Sequence, residues 1–182
     1  MVHPLCRAVL LAIILCSAFS SAVACKCTGT GSVKSGVEAS AVVFTGMVLK
    51  VEYFGLAETI NPDSLAIART LSHESSKNFL DTPMVLKATM LVTSEFKGVV
   101  KHDTVVVYTG IRGASCGFRF EVNKEYTVYG TNDNYLFMFL RVDRQRFKTL
   151  GKKGTFWTSI CSRTTITVGQ EQGLLNEYLG RK

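Results

Sequence analysis

The feature that most constrains this chain is a pair of cysteines, Cys25 and Cys27, that directly follows the small residues Ala22-Val23-Ala24. Small residues of this kind precede the cleavage site of a secretory signal peptide. Residues 1 to 24 also have a short basic front and an apolar run over residues 8 to 19, which is shorter than the roughly 20 residues needed to span a bilayer. The pattern therefore predicts that residues 1 to 24 are a signal peptide and that Cys25 begins a secreted, extracellular protein.

A bacterial lipoprotein is the alternative interpretation of the same stretch. In that case Cys25 would carry lipid on its sulfur and tether the chain to a membrane. Such signals usually have Leu three residues before the cysteine, where this sequence has Ala22. Lipidation would also leave an odd number of thiols in the exported chain. No second apolar run approaches spanning length, so no membrane span is expected.

The cysteines that follow the predicted signal peptide are Cys25, Cys27, Cys116 and Cys161. In an oxidising compartment an even number most simply makes two disulfides, although three pairings are possible and the residues alone do not choose between them. Residues two apart in an extended segment point to the same side, so Cys25 and Cys27 can bind two different partner segments. The N-terminal tripeptide is then expected to be held at both ends.

Residues 25 to 182 have the size of one domain, with residues 163 to 182 expected as a helical tail. Removing Arg7 from the formal net charge of +7 leaves about +6. A positive balance of that size on a secreted protein suits weak binding to acidic glycans or membrane surfaces. Secretion argues against a nucleic-acid partner.

Short strands separated by polar turns predict a mainly β fold. The predicted strands are Ala41 to Phe54 with a bulge at Gly46, Met84 to Phe96, Asp103 to Tyr108, Glu125 to Gly130, and either Tyr135 to Val142 or Phe156 to Cys161. Because no helical pattern separates most of these strands, an antiparallel barrel is expected rather than a parallel sheet.

Outside the strands, the sequence predicts two helices and one long connection. Val33 to Ser40 predicts a short N-terminal helix, and apolar residues at 174, 175, 178 and 179 predict a C-terminal amphipathic helix that ends at Gly180. Gly55 to Pro83 is expected to be a functional or disordered connection that holds one short helix.

Several landmarks occur in one order along the chain. They are Cys25-Lys26-Cys27 at the cleavage site, Ala41-Val42-Val43-Phe44-Thr45-Gly46, Ala114-Ser115-Cys116-Gly117-Phe118-Arg119-Phe120 leading to Glu125-Tyr126-Thr127-Val128-Tyr129-Gly130, and Ile160-Cys161-Ser162. Over most of residues 25 to 162 this order resembles the N-terminal domain of the tissue inhibitors of metalloproteinases (TIMPs). The resemblance implies a five-stranded OB-fold-like barrel, the netrin-like (NTR) module. It also implies disulfides from Cys25 to Cys116 and from Cys27 to Cys161.

The resemblance implies a secreted inhibitor of zinc metalloendopeptidases, a protein that is not an enzyme and has no cofactor of its own. The α-amine and carbonyl oxygen of Cys25 would chelate the catalytic zinc of the target protease in place of its water. The amine binds metal only when unprotonated, and α-amines have a pKa of about 7.7 to 8.0, so chelation is within reach near neutral pH.

The resemblance also assigns the protease contacts. Lys26 would enter the pocket for the first primed-side residue, and Cys27 and Thr28 would follow the cleft. Ser115 and Cys116 would fill the other side. The family commonly has a small uncharged residue where Lys26 stands, and a lysine in a deep apolar pocket costs several kcal/mol unless a carboxylate meets it.

The segment from Gly113 to Gly117 also fits the GxSxG pattern of a hydrolase, which needs a strand before Ser115 and a helix after it. The alternation over residues 118 to 120 favours a strand instead. His73 and His102 are interpreted as a loop residue and a turn residue. No zinc-protease, phosphate-loop or dinucleotide motif occurs in the sequence.

A non-inhibitory netrin-like binding module is the alternative from another functional class. Its ligand would be an acidic glycan or matrix protein, contacted by the basic run Arg141, Arg144, Arg146, Lys148, Lys152 and Lys153.

Overall fold

The computed structural model describes residues 25, 27, 31–71, 74–98, 103–111, 115–140 and 155–181, and its fold is built on a five-stranded sheet. In chain order the elements are α1 (Val33–Ala39), β1 (Val42–Phe54), a 3-10 helix (Leu56–Thr59), α2 (Pro62–Leu71), α3 (Glu74–Asp81), β2 (Val85–Lys97), β3 (Thr104–Gly110), β4 (Glu125–Gly130), a second 3-10 helix (Tyr135–Leu140), β5 (Phe156–Trp157) and α4 (Val168–Leu179). The mainly β class and the two terminal helices are as predicted.

The strands lie in the order β4-β1-β2-β3-β5. The pairs that involve β1 and the pair between β2 and β3 are antiparallel, whereas β3 and β5 are parallel. The expectation of a wholly antiparallel arrangement is therefore wrong for β5. The sheet is open, and the predicted barrel closure is not confirmed, because β5 is only two residues long. One antiparallel bridge, from Thr131 to Trp157, brings the two edges together at one point.

Strand β1 is long because it carries an almost continuous run of β-branched and aromatic residues between two turn-forming segments. Its pairing with β2 shifts register between Thr45 and Gly46, which confirms the irregularity predicted at that glycine. A Cβ atom at Gly46 would lie 2.9 Å from the carbonyl oxygen of Leu91, so the glycine lets the two strands approach closely at this bend.

Three groups of buried side chains fill the structure. The interior of the curved sheet holds Val42, Phe44, Val48, Leu86, Ala88, Met90, Val105, Val107, Phe120, Tyr126 and Val128. A second group, Leu56, Ile60, Ala68, Leu80, Met84, Val85, Tyr108, Leu136, Phe137, Leu140 and Trp157, lies under the helices between β1 and β2. A third, Val37, Val43, Phe96, Tyr129 and Leu175, attaches α1 and α4 to the sheet.

The connection from Gly55 to Pro83 is helical, so the expectation of a weakly structured segment is wrong. It contains a 3-10 helix followed by α2 and α3, and it buries Leu56, Ile60 and Leu80 almost completely. Arg69 of α2 donates two hydrogen bonds to the carboxylate of Asp81 in α3, at 2.9 and 2.7 Å. The segment therefore covers one end of the core.

The fifth strand is Phe156–Trp157, which decides between the two candidates for it. The other candidate is wrong over its described part, because residues Tyr135–Leu140 form a 3-10 helix. The C-terminal helix α4 ends as predicted at Gly180, whose φ of 64° lies in the left-handed region that glycine adopts without strain.

Candidate functional site

The candidate site is the edge of the sheet where two disulfides hold the N-terminal cysteines. One joins Cys25 to Cys116 with 5.7 Å between their Cα atoms, and the other joins Cys27 to Cys161 with 5.0 Å. These are the two pairs that the family resemblance implies. Cys27 is exposed, and the other three cysteines are half-buried. The site therefore lies at the surface.

The parallel pairing of β3 and β5 explains why both disulfides meet at one edge. Parallel strands end on the same side of a sheet, so the segment that leaves β3 toward Cys116 and the segment that leaves β5 toward Cys161 emerge together. The backbone N–H of Ile160 donates to the carbonyl oxygen of Cys116 at 3.0 Å and ties these two segments to each other. Cys25 and Cys27 are therefore bonded to two segments that are themselves hydrogen-bonded to each other.

The turn that carries Cys116 depends on a close backbone approach. Cys116 itself has a positive φ of 52°. A Cβ atom at Gly117 would lie 1.6 Å from the carbonyl oxygen of Gly110, so no other residue fits at this position without movement of the backbone. The N–H of Gly110 donates to the hydroxyl of Tyr135 at 2.8 Å, and the N–H of Phe118 donates to Thr109 Oγ1 at 2.8 Å. The turn is fixed on both sides.

Ser115, a predicted protease contact, has a side chain that faces inward. Only 5% of the residue is exposed, and its hydroxyl donates to the carbonyl oxygen of Ile111. A contact with a partner would therefore involve its backbone. Residues 116 to 124 contain no helix, so the strand-to-helix turn that the GxSxG interpretation requires is not formed at Ser115.

A chain of hydroxyl groups supports the segment around Cys161. Thr158 Oγ1 lies 2.6 Å from both Ser162 Oγ and Thr164 Oγ1, and Ser162 donates to the carbonyl oxygen of Ser159 at 2.7 Å. The N–H of Cys161 donates to Ser159 Oγ at 3.2 Å. This network was not predicted from the sequence. Its only signal is the density of Ser and Thr between residues 158 and 165.

Two residues after Cys161 begins a charged group that we call the Arg163 cluster, made of the half-buried Arg163 and the buried Tyr129 and Glu171. Arg163 donates through Nη2 to Glu171 Oε2 at 2.9 Å and through Nε to Glu171 Oε1, and Tyr129 donates its hydroxyl to Glu171 Oε1 at 2.6 Å. Arg163 Nη1 also donates to the carbonyl oxygen of Gly31 at 3.0 Å.

The environment of the Arg163 cluster changes how its groups titrate. Burial raises the pKa of the Tyr129 hydroxyl well above its usual value, and the hydrogen bond to the Glu171 carboxylate adds to the shift. The hydrogen bonds to Glu171 raise the pKa of Arg163. The cluster was not predicted from the sequence, although Glu171, one turn before the buried Leu175 on an amphipathic helix, was a signal for it.

A cavity of about 300 Å³ adjoins this edge, between α1 and the segment around Cys161. Its walls include Ser35, Ser40, Tyr135, Trp157 and Ser159. Hydroxyl groups in the wall are already bonded within the protein, as shown by Ser35 donating to the carbonyl of Ser32 at 2.9 Å and Ser40 donating to that of Gly36 at 2.8 Å. We therefore assign the cavity no ligand.

Several residues singled out in the sequence lie outside the described residues. They are Lys26, Thr28, His73, His102 and the basic run from Arg141 to Lys153. Within the described part of the chain, no group of three or more His, Cys, Asp or Glu side chains is arranged to hold a metal ion. None of the helices in that part is long and apolar enough to cross a membrane.

Comparison of the chain with protein-family models and with curated protein sequences gave no match.

Proposed function

We propose that this protein is a secreted inhibitor of zinc metalloendopeptidases, related to the TIMPs, that acts through Cys25 as its mature N-terminal residue. The observation that carries the proposal is the attachment of Cys25 and Cys27, which are separated by one residue, to Cys116 and Cys161 at a single edge of the sheet. A peptide end fixed in this way at the surface would enter a protease cleft as a rigid segment.

The chemistry follows from removal of residues 1 to 24. Cleavage there gives Cys25 an α-amine two bonds from its own carbonyl carbon, and the amine nitrogen and carbonyl oxygen together can close a five-membered ring on Zn²⁺. A catalytic zinc keeps one position open for water or substrate, and the chelating pair would occupy it. Chelation requires the neutral amine, so inhibition should weaken as the pH falls well below the usual α-amine pKa of about 7.7 to 8.0.

The two disulfides should reduce the conformational entropy that the N-terminal segment loses when it binds a protease. A flexible peptide loses conformational freedom when it binds, whereas a segment already fixed in its bound shape does not. Both cysteines are covalently held, and the hydrogen bond from Ile160 to Cys116 links the two partner segments. The site would therefore bind with little further ordering.

The charge of Lys26 would affect which zinc proteases the protein inhibits. Its ammonium group would be costly in an apolar pocket and favourable beside a carboxylate. We propose that the preferred proteases carry an acidic residue in the pocket for the first primed-side residue.

Two measurements test the proposed function. Intact mass and N-terminal sequencing of secreted protein should show a chain that begins at Cys25 with an unmodified amine and has four hydrogens fewer than the reduced form. A variant with one Ala added before Cys25 should keep the thermal midpoint, because the added residue lies outside both disulfide loops, and should lose inhibition of zinc proteases by orders of magnitude.

A variant with one Ala added after Lys182 is the matched control, and it should inhibit as the wild type does. Equal inhibition by the N-terminally extended form would show that Cys25 is not the zinc ligand. An acylated Cys25, or cleavage at another bond, would also rule out the proposed chelation.

A non-inhibitory module that binds an acidic glycan is the second candidate, and the distribution of charge favours it. Acidic residues outnumber basic ones in the described part of the chain, so the positive excess comes from the remainder, above all from Arg141 to Lys153. A wild-type protein that inhibits no secreted zinc protease and elutes from a heparin column only at high salt would favour this candidate.

A further inference from the structure

The segment that follows Cys27 is anchored a second time, four residues later. Arg163 Nη1 donates to the carbonyl oxygen of Gly31 at 3.0 Å, and Cys27 is bonded to Cys161. The two anchor points on the receiving side, Cys161 and Arg163, are two residues apart. One short stretch after β5 therefore holds both ends of the segment from Cys27 to Gly31.

Arg163 is itself fixed from behind. Its guanidinium is held by both carboxylate oxygens of Glu171, a residue that is 5% exposed, and Tyr129 holds the same carboxylate through its hydroxyl. Its aliphatic stem packs against α1, because a Cβ atom at Gly36 would lie 3.1 Å from Arg163 Cδ. Few rotamers of Arg163 satisfy all these contacts, so the position of the Gly31 carbonyl is tied to α4.

We propose that Arg163 is a positioning residue for the N-terminal segment, and that Glu171 of α4 orients it. The disulfide attaches Cys27 to Cys161, and the bond from Arg163 attaches Gly31 to the same short stretch, so the segment is held at two points. The consequence for inhibition rests on the proposed function, whereas the consequence for the order of the segment does not.

A planar guanidinium is needed for this arrangement. Arg163 presents separate N–H groups to Glu171 and to Gly31 in a fixed fork, and a lysine ammonium cannot reproduce both sets of contacts. Arg163→Lys therefore keeps the positive charge beside Glu171 and should lose the bond to Gly31. The Arg163→Lys variant therefore tests the bond to Gly31 while the positive charge beside Glu171 is kept.

Arg181→Lys is the matched control. Arg181 also connects the C-terminal end of the chain to the sheet, through a hydrogen bond of 2.8 Å from Nη1 to the carbonyl oxygen of Glu95 and through the ring of Phe96. These contacts lie on Glu95 and Phe96 at the end of β2, whereas Gly31 is bonded by Arg163. Both variants replace one arginine that ties α4 or its end to its surroundings, and only one touches Gly31.

Hydrogen exchange followed by NMR tests the structural part in the full secreted protein. The amides of Ser35 and Gly36, which are bonded to Ser32 at the start of α1, should exchange at least about tenfold faster in Arg163→Lys, the factor expected for loss of one hydrogen bond to a charged donor. The amide of Val48 in β1, bonded to the carbonyl oxygen of Lys124 directly before β4, should be unchanged and thereby exclude global destabilisation. Arg181→Lys should leave all three amides within about twofold of wild type.

Inhibition constants for a zinc protease that the wild type inhibits test the functional part. Arg163→Lys should weaken inhibition at least about tenfold with both disulfides intact, and Arg181→Lys should weaken it less than about twofold. Wild-type exchange at Ser35 and Gly36 in Arg163→Lys would overturn the positioning role, and so would unchanged inhibition. If the wild type inhibits no zinc protease, the proposed function fails, and the exchange rates alone decide whether Arg163 holds the segment.

Discussion

At the scale of single residues, the site depends on a backbone contact that no side chain could replace. Gly110 at the end of β3 and Gly117 after Cys116 approach so closely that a Cβ atom at Gly117 would overlap the carbonyl oxygen of Gly110. The left-handed backbone of Cys116 turns the chain between them. The direction in which Cys116 meets Cys25 is therefore set by the two glycines.

Gly117→Ala tests this dependence. The added methyl would lie 1.6 Å from a backbone atom, so the turn must shift, and we expect a loss of stability of at least about 1 to 3 kcal/mol together with incomplete formation of the Cys25 to Cys116 disulfide. Urea unfolding and non-reducing peptide mapping measure the two effects.

Gly173→Ala is the control for Gly117→Ala. Nothing lies within 4 Å of a Cβ atom at Gly173 in the interior of α4, so that change should stabilise the protein by up to about 1 kcal/mol. Complete formation of the disulfide at wild-type stability in Gly117→Ala would contradict the role given to the close approach.

Tyr129 makes the stability of the folded protein depend on pH in the alkaline range. Burial and the bond to Glu171 raise the pKa of this hydroxyl above its ordinary value of 10.0, so above about pH 10 the unfolded chain releases a proton that the folded protein keeps. The resulting stabilisation is fully present below pH 10 and decreases as the pH rises, by up to about 1.4 kcal/mol for each pH unit.

Tyr129→Phe should therefore lower stability at pH 8 by about 1 to 3 kcal/mol and flatten the decline of stability between pH 10 and 11. Denaturant unfolding at several pH values measures both. Burial also raises the pKa of Tyr108, Tyr126 and Tyr135, and their contribution remains in both proteins. Identical slopes in the two proteins would contradict the assignment to Tyr129.

At the scale of elements, the sequence predicted those parts that carry their own local pattern. Strand β1 has a dense run of β-branched residues, and α4 has apolar residues at helical spacing followed by a glycine. Only one short helix was expected in the connection that holds α2 and α3, because its apolar residues are sparse. Both segments are helical because Leu80 and Ala68 bury against distant parts of the chain.

The choice of β5 could not be made from the sequence for a related reason. Residues 135 to 142 and 156 to 161 are both rich in apolar and aromatic side chains, and what separates them is parallel pairing with β3, a contact distant in sequence. The candidate site shows the same limit. The residues alone left three disulfide pairings open, and the Arg163 cluster unites side chains from β4, the segment after β5 and α4.

Leu80→Ala tests whether the helical connection belongs to the core. Leu80 of α3 is fully buried, so its truncation should cost about 2 to 5 kcal/mol of unfolding free energy. Ile67→Ala in the neighbouring α2 removes a comparable side chain that is 54% exposed and should change stability by less than about 0.5 kcal/mol. Equal effects of the two changes in urea unfolding would mean that this segment packs less closely than described.

At the scale of the whole molecule, the charge of Lys26 should set selectivity among target proteases under the proposed function. Lys26→Thr removes a cation that an apolar pocket would have to desolvate, so it should strengthen inhibition of proteases with apolar pockets, by about tenfold or more. The same change should weaken inhibition of proteases with an acidic pocket. Inhibition constants for a panel of both kinds check the prediction, and a uniform change across the panel would contradict it.

The two disulfides also determine what happens when the chain is cut. Cys25 joins Cys116 across 91 residues of sequence, and Cys27 joins Cys161 across 134, so the second loop contains most of the first. Any single break of a peptide bond between Cys25 and Cys161 leaves both products linked by at least one disulfide. A protease that nicks the protein anywhere in this span cannot by itself release a fragment. The damage would appear as two bands on a reducing gel and as one band on a non-reducing gel.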